Sequence, residues 1–288
     1  MASDQGPVIQ SAVLRSELVR LRKEKGVTQE QVAGQLEWSA SKLIRVEGGH
    51  SSITKVDLDA LLGQYGVTSE SQRERLQALN RGAKEAGWWE AYRSDVPVQY
   101  LTYVGYEAGA AFIRQFPGTV VPGLLQTPQY AEALTAISVT PLGVAPVVKL
   151  RMQRQSELAR RENPPRQYYV LDEAVIRRHI GIQQDPAIMP NQLLHIVGKA
   201  REDNRVTVRV IPFSHGAHAG LSGPFTLLEF DGGLPDVLYL DAGQEIIGIV
   251  TNDNQVSEYA DRFEQLLETA LPAEESVEFI RAAAEEMS

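Results

Sequence analysis

Cysteine is absent from the 288 residues, and the sequence contains no long apolar run. The first absence excludes disulfide scaffolds, thiolate metal sites and cysteine nucleophiles. The second predicts that no helix spans a membrane. The opening residues, MASDQGPVIQ, also lack the basic and apolar regions of a secretory signal. We therefore expect a cytoplasmic protein.

Acidic residues outnumber basic ones, but the excess is unevenly distributed. Residues 1–94 hold 13 Lys and Arg against 12 Asp and Glu, whereas residues 95–288 hold 15 against 25. The net charges of these parts are therefore +1 and −10. A basic face can form on the first part, while the second should repel the phosphates of nucleic acid. The length and a hydrophobic content of 43% predict two folded domains.

A helix-turn-helix pattern lies in residues 28–49, TQEQVAGQLEWSASKLIRVEGG. Thr28 and Ser39 can each cap a helix, with a short turn between the two helices. Leu43 and Val46 face the core on the second helix, which leaves an outer face of small polar and then basic residues. Such a face is typical of a helix that enters the DNA major groove. The residues expected to read base edges are Ser39, Ala40, Ser41, Lys42 and Arg45.

The preceding helix is expected to hold the DNA backbone. Thr28 and Gln29 stand at its N-terminus, where backbone N–H groups and the helix dipole attract phosphate. Helices are also predicted over residues 13–25, 54–64 and 69–87. A simple packing hairpin is the alternative to a DNA-binding motif, but the neighbouring helices favour the motif. Residues 1–87 are therefore predicted to form an all-α domain of about five helices.

Residues 13–84 resemble the Xre/Cro/phage-repressor family of helical DNA-binding domains. The resemblance implies an ion pair between Arg22 and Glu47, which match positions that pair across the core of that family. Glu37 departs from the family pattern, because glycine usually stands at this place in the turn. A non-glycine residue at positive φ costs on the order of 1 kcal/mol, which allows a locally different turn.

Residues 88–288 are predicted to form an α+β domain with a mostly antiparallel sheet. Valines alternate with Thr207 and Arg209, as in a half-exposed strand. Gly, Pro and Asp separate the later strands, and strands so close in sequence pair antiparallel. The expected helices cover 103–116, 128–137, 145–161, 186–202, 255–271 and 273–287, and the expected strands cover 166–171, 205–211, 225–230, 237–241 and 246–250.

The second half contains residues that could support catalysis, but no motif assembles them. His215 and His218 form a weak metal pattern that needs a carboxylate such as Glu229 or Asp231 to fold back. Ser222 lies in GLSG and not in the GxSxG of a nucleophile elbow. Neither HExxH nor a glycine-rich phosphate loop occurs. We therefore expect no enzyme, no metal and no cofactor.

Two pairs of acidic residues leave catalysis open as an alternative. Asp172 and Glu173 follow a strand and offer carboxylates, although acids at this point more simply stabilise a helix N-terminus. Asp241 and Glu245 flank a turn and could serve a nucleotide-dependent transferase together with an arginine.

Four blocks of the second half stand out together. They are VPGLLQTPQYAEAL (121–134), LRMQRQ (150–155), VLDEAVIRR (170–178) and VIPFSHGAHAGLSGPFTLLEF (210–230). In combination they resemble the actinobacterial Xre-type regulators of the WhiJ-like family, whose C-terminal domain has no assigned function. The resemblance implies a small acidic protein partner and an antitoxin-like or developmental role.

The second domain is accordingly expected to act as a sensor or docking domain. The loop 213–224 is rich in glycine and suits a functional loop, or equally a long hairpin connection. We expect a homodimeric repressor that binds operator half-sites about 34 Å apart, with the dimer interface in residues 100–288. Control by a small protein is favoured, and control by a small ligand or nucleotide is the alternative. The candidate contacts are Gln126, His215, His218 and Ser222.

Overall fold

The computed structural model describes residues 6–138, 140–231, 234–242 and 245–288. Two compact units divide the chain. The N-terminal unit holds the described residues up to Glu90 together with Leu234, and the C-terminal unit holds the others. No helix within these ranges is both long and apolar enough to cross a membrane.

Five α-helices form the N-terminal unit in the part of the chain that is described. Four of them begin after a Ser or Thr whose side-chain oxygen accepts a backbone N–H of the first turn. These caps satisfy donors that have no partner inside the helix. The predicted all-α domain is confirmed. The helices are α1 (Pro7–Glu24), α2 (Gln29–Gln35), α3 (Ala40–Glu47), α4 (Lys55–Gln64) and α5 (Glu70–Gly82).

A shared apolar core holds these short helices together. Every helix contributes to it, and one buried side chain from each, in chain order, is Leu18, Val32, Leu43, Leu58 and Leu76. Burial of such a side chain contributes roughly 1.5–3 kcal/mol. Helices of seven to ten residues are marginal in isolation, so the core fixes the orientation of α2 and α3.

The C-terminal unit is an α+β domain around a six-stranded mixed sheet. The strand order is β3-β2-β1-β4-β5-β6. β2 pairs parallel with β1 and with β3, whereas the other three pairings are antiparallel. The strands are β1 (Phe112–Phe116), β2 (Arg166–Asp172), β3 (Val206–Ile211), β4 (Phe225–Glu229), β5 (Val237–Ala242) and β6 (Glu245–Val250). The predicted mostly antiparallel α+β domain is confirmed.

Seven α-helices surround this sheet within the described residues. α10 and α12 pack against each other, and α12 also packs against β3. Phe263 and Leu266 of α11 join Phe225 and Leu238 of the sheet in one apolar cluster. The helices are α6 (Val98–Glu107), α7 (Pro128–Thr135), α8 (Pro141–Ala159), α9 (Glu173–Arg177), α10 (Ile188–Glu202), α11 (Asp253–Thr269) and α12 (Ala273–Glu286).

The helix predicted over residues 103–116 is confirmed as far as Glu107 and is wrong beyond it. α6 ends at Glu107, and Phe112–Phe116 forms the central strand β1 between β2 and β4. Ile113 and Phe116 are buried there. Pairing on both sides supplies β1 with hydrogen bonds that the local sequence does not indicate. Tertiary pairing thus decides the structure of residues 112–116.

Candidate functional site

The turn between α2 and α3 contains a strained residue. Glu37 has a φ of 56°, and no other non-glycine residue in the described ranges has a positive φ. The N–H of Trp38 donates to the carbonyl of Ala33 at 2.8 Å across this turn. The turn therefore keeps a left-handed residue even though a glutamate occupies it. The strain is on the order of 1 kcal/mol.

The outer face of α3 presents three side chains. Ser41, Ile44 and Arg45 are exposed and lie on one side of the helix, because residues three and four apart share a face. Leu43 and Val46 are buried on the other side. Neither Ser41 nor Arg45 has a side-chain partner within the described residues. Two hydrogen-bonding groups and one apolar group are therefore presented together.

Ile44 is a candidate contact that the sequence interpretation missed. Its side chain is 46% exposed, which is unusual for isoleucine in a helix that also has a buried face. An apolar side chain on such a face can contact the methyl group of thymine. The signal was available, because Ile44 lies three residues after Ser41 and directly before Arg45.

Two of the other predicted base readers, Ser39 and Lys42, already have partners within the protein. The hydroxyl of Ser39 accepts the N–H of Lys42 at 3.2 Å and caps α3. The ammonium of Lys42 lies 3.0 Å from a carboxylate oxygen of Asp57 and 3.8 Å from the ring centre of Trp38. Ala40 is half-buried at the first position of the helix. These three residues therefore lie at the margin of the exposed face.

The side chains at the start of α2 are also engaged. Thr28 and Gln31 form a capping box, with the N–H of Gln31 donating to Thr28 at 3.2 Å and the reverse contact at 2.9 Å. The amide of Gln29 donates to Glu47 at 2.8 Å. A phosphate contact at Thr28 and Gln29 would therefore depend on backbone N–H groups.

The predicted pair of Arg22 and Glu47 is present and forms part of a larger network. Arg22 Nε donates to both carboxylate oxygens of Glu47, at 2.9 and 3.0 Å. Gln29 and the hydroxyl of Tyr65 donate to the same carboxylate, each at 2.8 Å. Burial, followed by the charge of Glu47, raises the pKa of Tyr65, so its hydroxyl stays protonated. The network ties α3 to α1, α2 and the end of α4.

His218 of the C-terminal unit is buried and fully hydrogen-bonded. Its Nε2 lies 2.9 Å from Asp172 Oδ2, and its Nδ1 accepts the N–H of Gly220 at 3.2 Å. Because Nδ1 accepts, Nε2 is the ring nitrogen that donates to Asp172. The carboxylate beside His218 is therefore Asp172, and not Glu229 or Asp231 as the sequence suggested.

The remaining candidate residues of this unit are separated. His215 and Ser222 are exposed, whereas Gln126 is buried and donates to the carbonyl of Val121 at 2.8 Å. Gln126 lines a cavity that is not lined by His215, His218 or Ser222. Within the described residues, no three His, Asp or Glu side chains are grouped as a metal site requires. The side chains of Asp241 and Glu245 lie outside the described residues.

Two known protein families match the chain. A helix-turn-helix domain matches residues 13–76, and a domain of unknown function (DUF5753) matches residues 100–282. No curated protein and no solved structure matches it. The first match, which includes α2 and α3, supports a DNA-binding regulator. Because the second match covers more than half of the sequence, the chain belongs to the family of proteins that contain the DUF5753 domain.

Proposed function

We propose that the protein is a sequence-specific transcriptional repressor whose α3 enters the DNA major groove. The observation that carries this proposal is the outer face of α3, where Ser41, Ile44 and Arg45 are exposed beside one another. Arg45 can donate two hydrogen bonds to a guanine edge, Ser41 can bond a base, and Ile44 can contact a thymine methyl. The network around Glu47 holds this helix in place from behind.

The other predicted DNA contacts have supporting roles in this proposal. Lys42 can exchange Asp57 for a phosphate, because the pair is partly open to solvent and ion pairs at the surface contribute only about 0–1 kcal/mol. Ser39 and Ala40 lie at the end of α3 that approaches the bases. The backbone N–H groups at Thr28 and Gln29 bind a phosphate and set the position of the domain on the duplex.

Binding to selected DNA tests this proposal. Duplexes that bind the full chain are first enriched from a random pool, and fluorescence anisotropy then measures the affinity of each variant. Arg45→Ala should weaken binding by about 5- to 150-fold, which corresponds to roughly 1–3 kcal/mol. Arg81→Ala, an exposed arginine of α5, is the matched control. If Ser41→Ala, Lys42→Ala and Arg45→Ala all bind like the parent chain, α3 is not the recognition helix.

We further propose that the protein is a WhiJ-like Xre-type regulator of actinobacterial kind, with control exerted by a small acidic protein on the C-terminal unit. The loop 213–224 supports this, because Phe213 and Leu221 are 59% and 70% exposed. The same loop is fixed by His218 on Asp172, and by the N–H of Phe213 on Glu173 at 2.7 Å. Exposed apolar side chains on a fixed loop suit protein binding.

The negative charge of the C-terminal unit and of the proposed acidic partner restricts the kind of contact between them. Residues 95–288 carry a net charge of −10, so an acidic partner is repelled over most of this surface. The contact should therefore be mainly apolar, as Phe213 and Leu221 allow. An antitoxin-like or developmental regulator of this kind would alter the DNA affinity of the N-terminal unit through its partner.

Co-purification of the full chain from its host tests partner control. A small acidic protein should be recovered with the parent chain and with Ile137→Ser, a control at a side chain that is 74% exposed. It should be lost with the double variant Phe213→Ser, Leu221→Ser. The recovered protein should also change the affinity for the selected DNA. Equal recovery by both variants, or recovery of no such protein, would contradict this part of the proposal.

We also propose that the C-terminal unit acts in control and not in catalysis. Both ring nitrogens of His218 have partners, so this histidine offers no free base. Incubation of the full chain with radiolabelled nucleoside triphosphates should leave the chain and the selected DNA unlabelled. Transfer of label to either molecule would support the transferase alternative.

A further inference from the structure

A cavity of about 170 Å³ lies within the C-terminal unit. Its wall is part apolar and part polar, and the apolar part includes Pro117, Val121, Leu134 and Phe225. A cavity of about 150 Å³ in another protein accepts benzene, so this one has room for a single six-membered ring with a small substituent. Apolar surface beside polar groups that converge on one space is typical of a ligand site.

Arg154 lines the cavity, and Glu107 neutralises its charge. Arg154 donates from Nε and Nη2 to the two carboxylate oxygens of Glu107, at 2.9 and 2.6 Å. The hydroxyl of Tyr103 also donates to Glu107, at 2.8 Å, and burial raises the pKa of Tyr103 so that this proton is retained. The charge of Arg154 is therefore already compensated, and this side of the cavity is fixed in shape.

Tyr100 extends the same network and keeps one donor. Arg154 Nη1 donates to the hydroxyl oxygen of Tyr100. Because a guanidinium group has no acceptor, Tyr100 must accept in this contact, and its own O–H remains available. None of the described residues accepts that O–H. Tyr100 lines the cavity and is half-exposed.

Arg151 supplies the uncompensated charge. Its Nη1 donates to Thr135 at 2.7 Å and to Gln126 Oε1 at 3.4 Å. Its Nε and Nη2 have no acceptor, and no carboxylate pairs with it, within the described part of the chain. No Asp or Glu lines the cavity. The unused polar groups at Arg151 and Tyr100 are therefore all donors, beside one positive charge.

We propose that this cavity binds a small planar carboxylate. The carboxylate oxygens accept hydrogen bonds from Arg151 and Tyr100, and a single ring lies against Leu134 and Phe225. A guanidinium group matches the two oxygens of a carboxylate in one plane. An acceptor-only anion fits donors without partners, and a ring fits the apolar part of the wall. This site lies in the C-terminal unit and is not part of DNA recognition by α3.

Three small molecules separate the need for a negative charge from the need for a ring. Benzoate has both the charge and the ring, acetate has only the charge, and benzamide has the ring without the charge. Saturation-transfer NMR and isothermal titration on the full chain, without DNA, measure the binding of each probe. Benzoate should bind at least about tenfold more tightly than acetate or benzamide, which corresponds to about 1.4 kcal/mol. Absence of benzoate binding, or equal binding of benzamide, would overturn the proposal.

Variants locate the binding within the cavity. Arg151→Gln should reduce benzoate affinity by at least about tenfold. Arg160→Gln, an exposed position on the same stretch of chain at the end of α8, should leave that affinity unchanged. Arg151→Lys keeps the charge and should bind benzoate with intermediate affinity, which provides a second test if Arg151→Gln is poorly folded. Equal benzoate affinity in all three variants would place the ligand elsewhere and refute the site. Since no DNA is present, failure here is distinguishable from failure of the proposed DNA recognition.

Discussion

The hydrogen-bond network around Glu47 fixes the position of α3 within the N-terminal unit. The Glu47 carboxylate is almost completely buried, with a side-chain exposure of 2%, and it accepts hydrogen bonds from Arg22, Gln29 and Tyr65. A buried charge is tolerated only when it is paired and hydrogen-bonded. The network therefore has a structural role, and its energetic importance appears when one partner is removed.

Replacement of Arg22 should destabilise the N-terminal unit strongly. Arg22→Met keeps much of the side-chain volume but leaves the buried Glu47 charge without its counter-ion, at a cost of about 3–5 kcal/mol. Urea unfolding followed by circular dichroism measures the loss. Arg20→Met is the control on the same helix, since Arg20 pairs at the surface with Glu17 and Glu24. It should cost about 0–1 kcal/mol, and similar costs for both variants would contradict a structural role for the network.

Replacement of Glu37 by glycine should raise the stability of the N-terminal unit. Glycine adopts a φ of 56° without steric cost, so Glu37→Gly should stabilise the domain by about 0.5–1 kcal/mol. Glu37→Ala keeps the steric penalty and should change the free energy of unfolding by only a few tenths of a kcal/mol. Thermal unfolding distinguishes the two. Equal stabilisation by alanine would show that the glutamate side chain, and not its backbone, is unfavourable.

At the level of whole elements, helices and strands with a cap or an apolar pattern in their own sequence could be predicted, and those without one could not. α3 has a serine cap and apolar residues that face one side, so its position and inner face follow from the sequence. β1 has no comparable local signal, because its hydrogen-bond partners lie about 50 residues later in β2 and more than 100 residues later in β4. The partners of Lys42 and His218 also come from other segments, Asp57 and Asp172, and could not be read from spacing.

Replacement of Ile44 tests whether the outer face of α3 contacts DNA. Ile44→Ser changes a side chain that is 46% exposed, so the free energy of unfolding should change by no more than about 0.5 kcal/mol. Binding to the selected DNA should nevertheless weaken, because a contact with a thymine methyl is lost. Val98→Ser, at an exposed side chain of α6, should affect neither property. Unchanged DNA affinity in Ile44→Ser would remove Ile44 from the interface.

For the molecule as a whole, one recognition helix reads too few base pairs to specify an operator. Dimeric helix-turn-helix proteins solve the problem with two recognition helices about one turn of DNA, roughly 34 Å, apart. We therefore expect a homodimer formed mainly through residues 100–288. Light scattering after gel filtration should give twice the chain mass of 31.8 kDa. A monomer in both the presence and the absence of the selected DNA would contradict this expectation.

Base reading by the outer face of α3 is tested most directly by a loss-of-contact experiment. Each base pair of the selected site is substituted in turn, and the affinities of the parent chain and of Arg45→Ala are measured for every duplex. The parent should lose about 1–3 kcal/mol at a guanine in each half-site, whereas Arg45→Ala should no longer discriminate at that position and should keep its discrimination elsewhere. A uniform loss of affinity across all duplexes, with the discrimination unchanged, would show that Arg45 binds phosphate and would contradict base reading by α3.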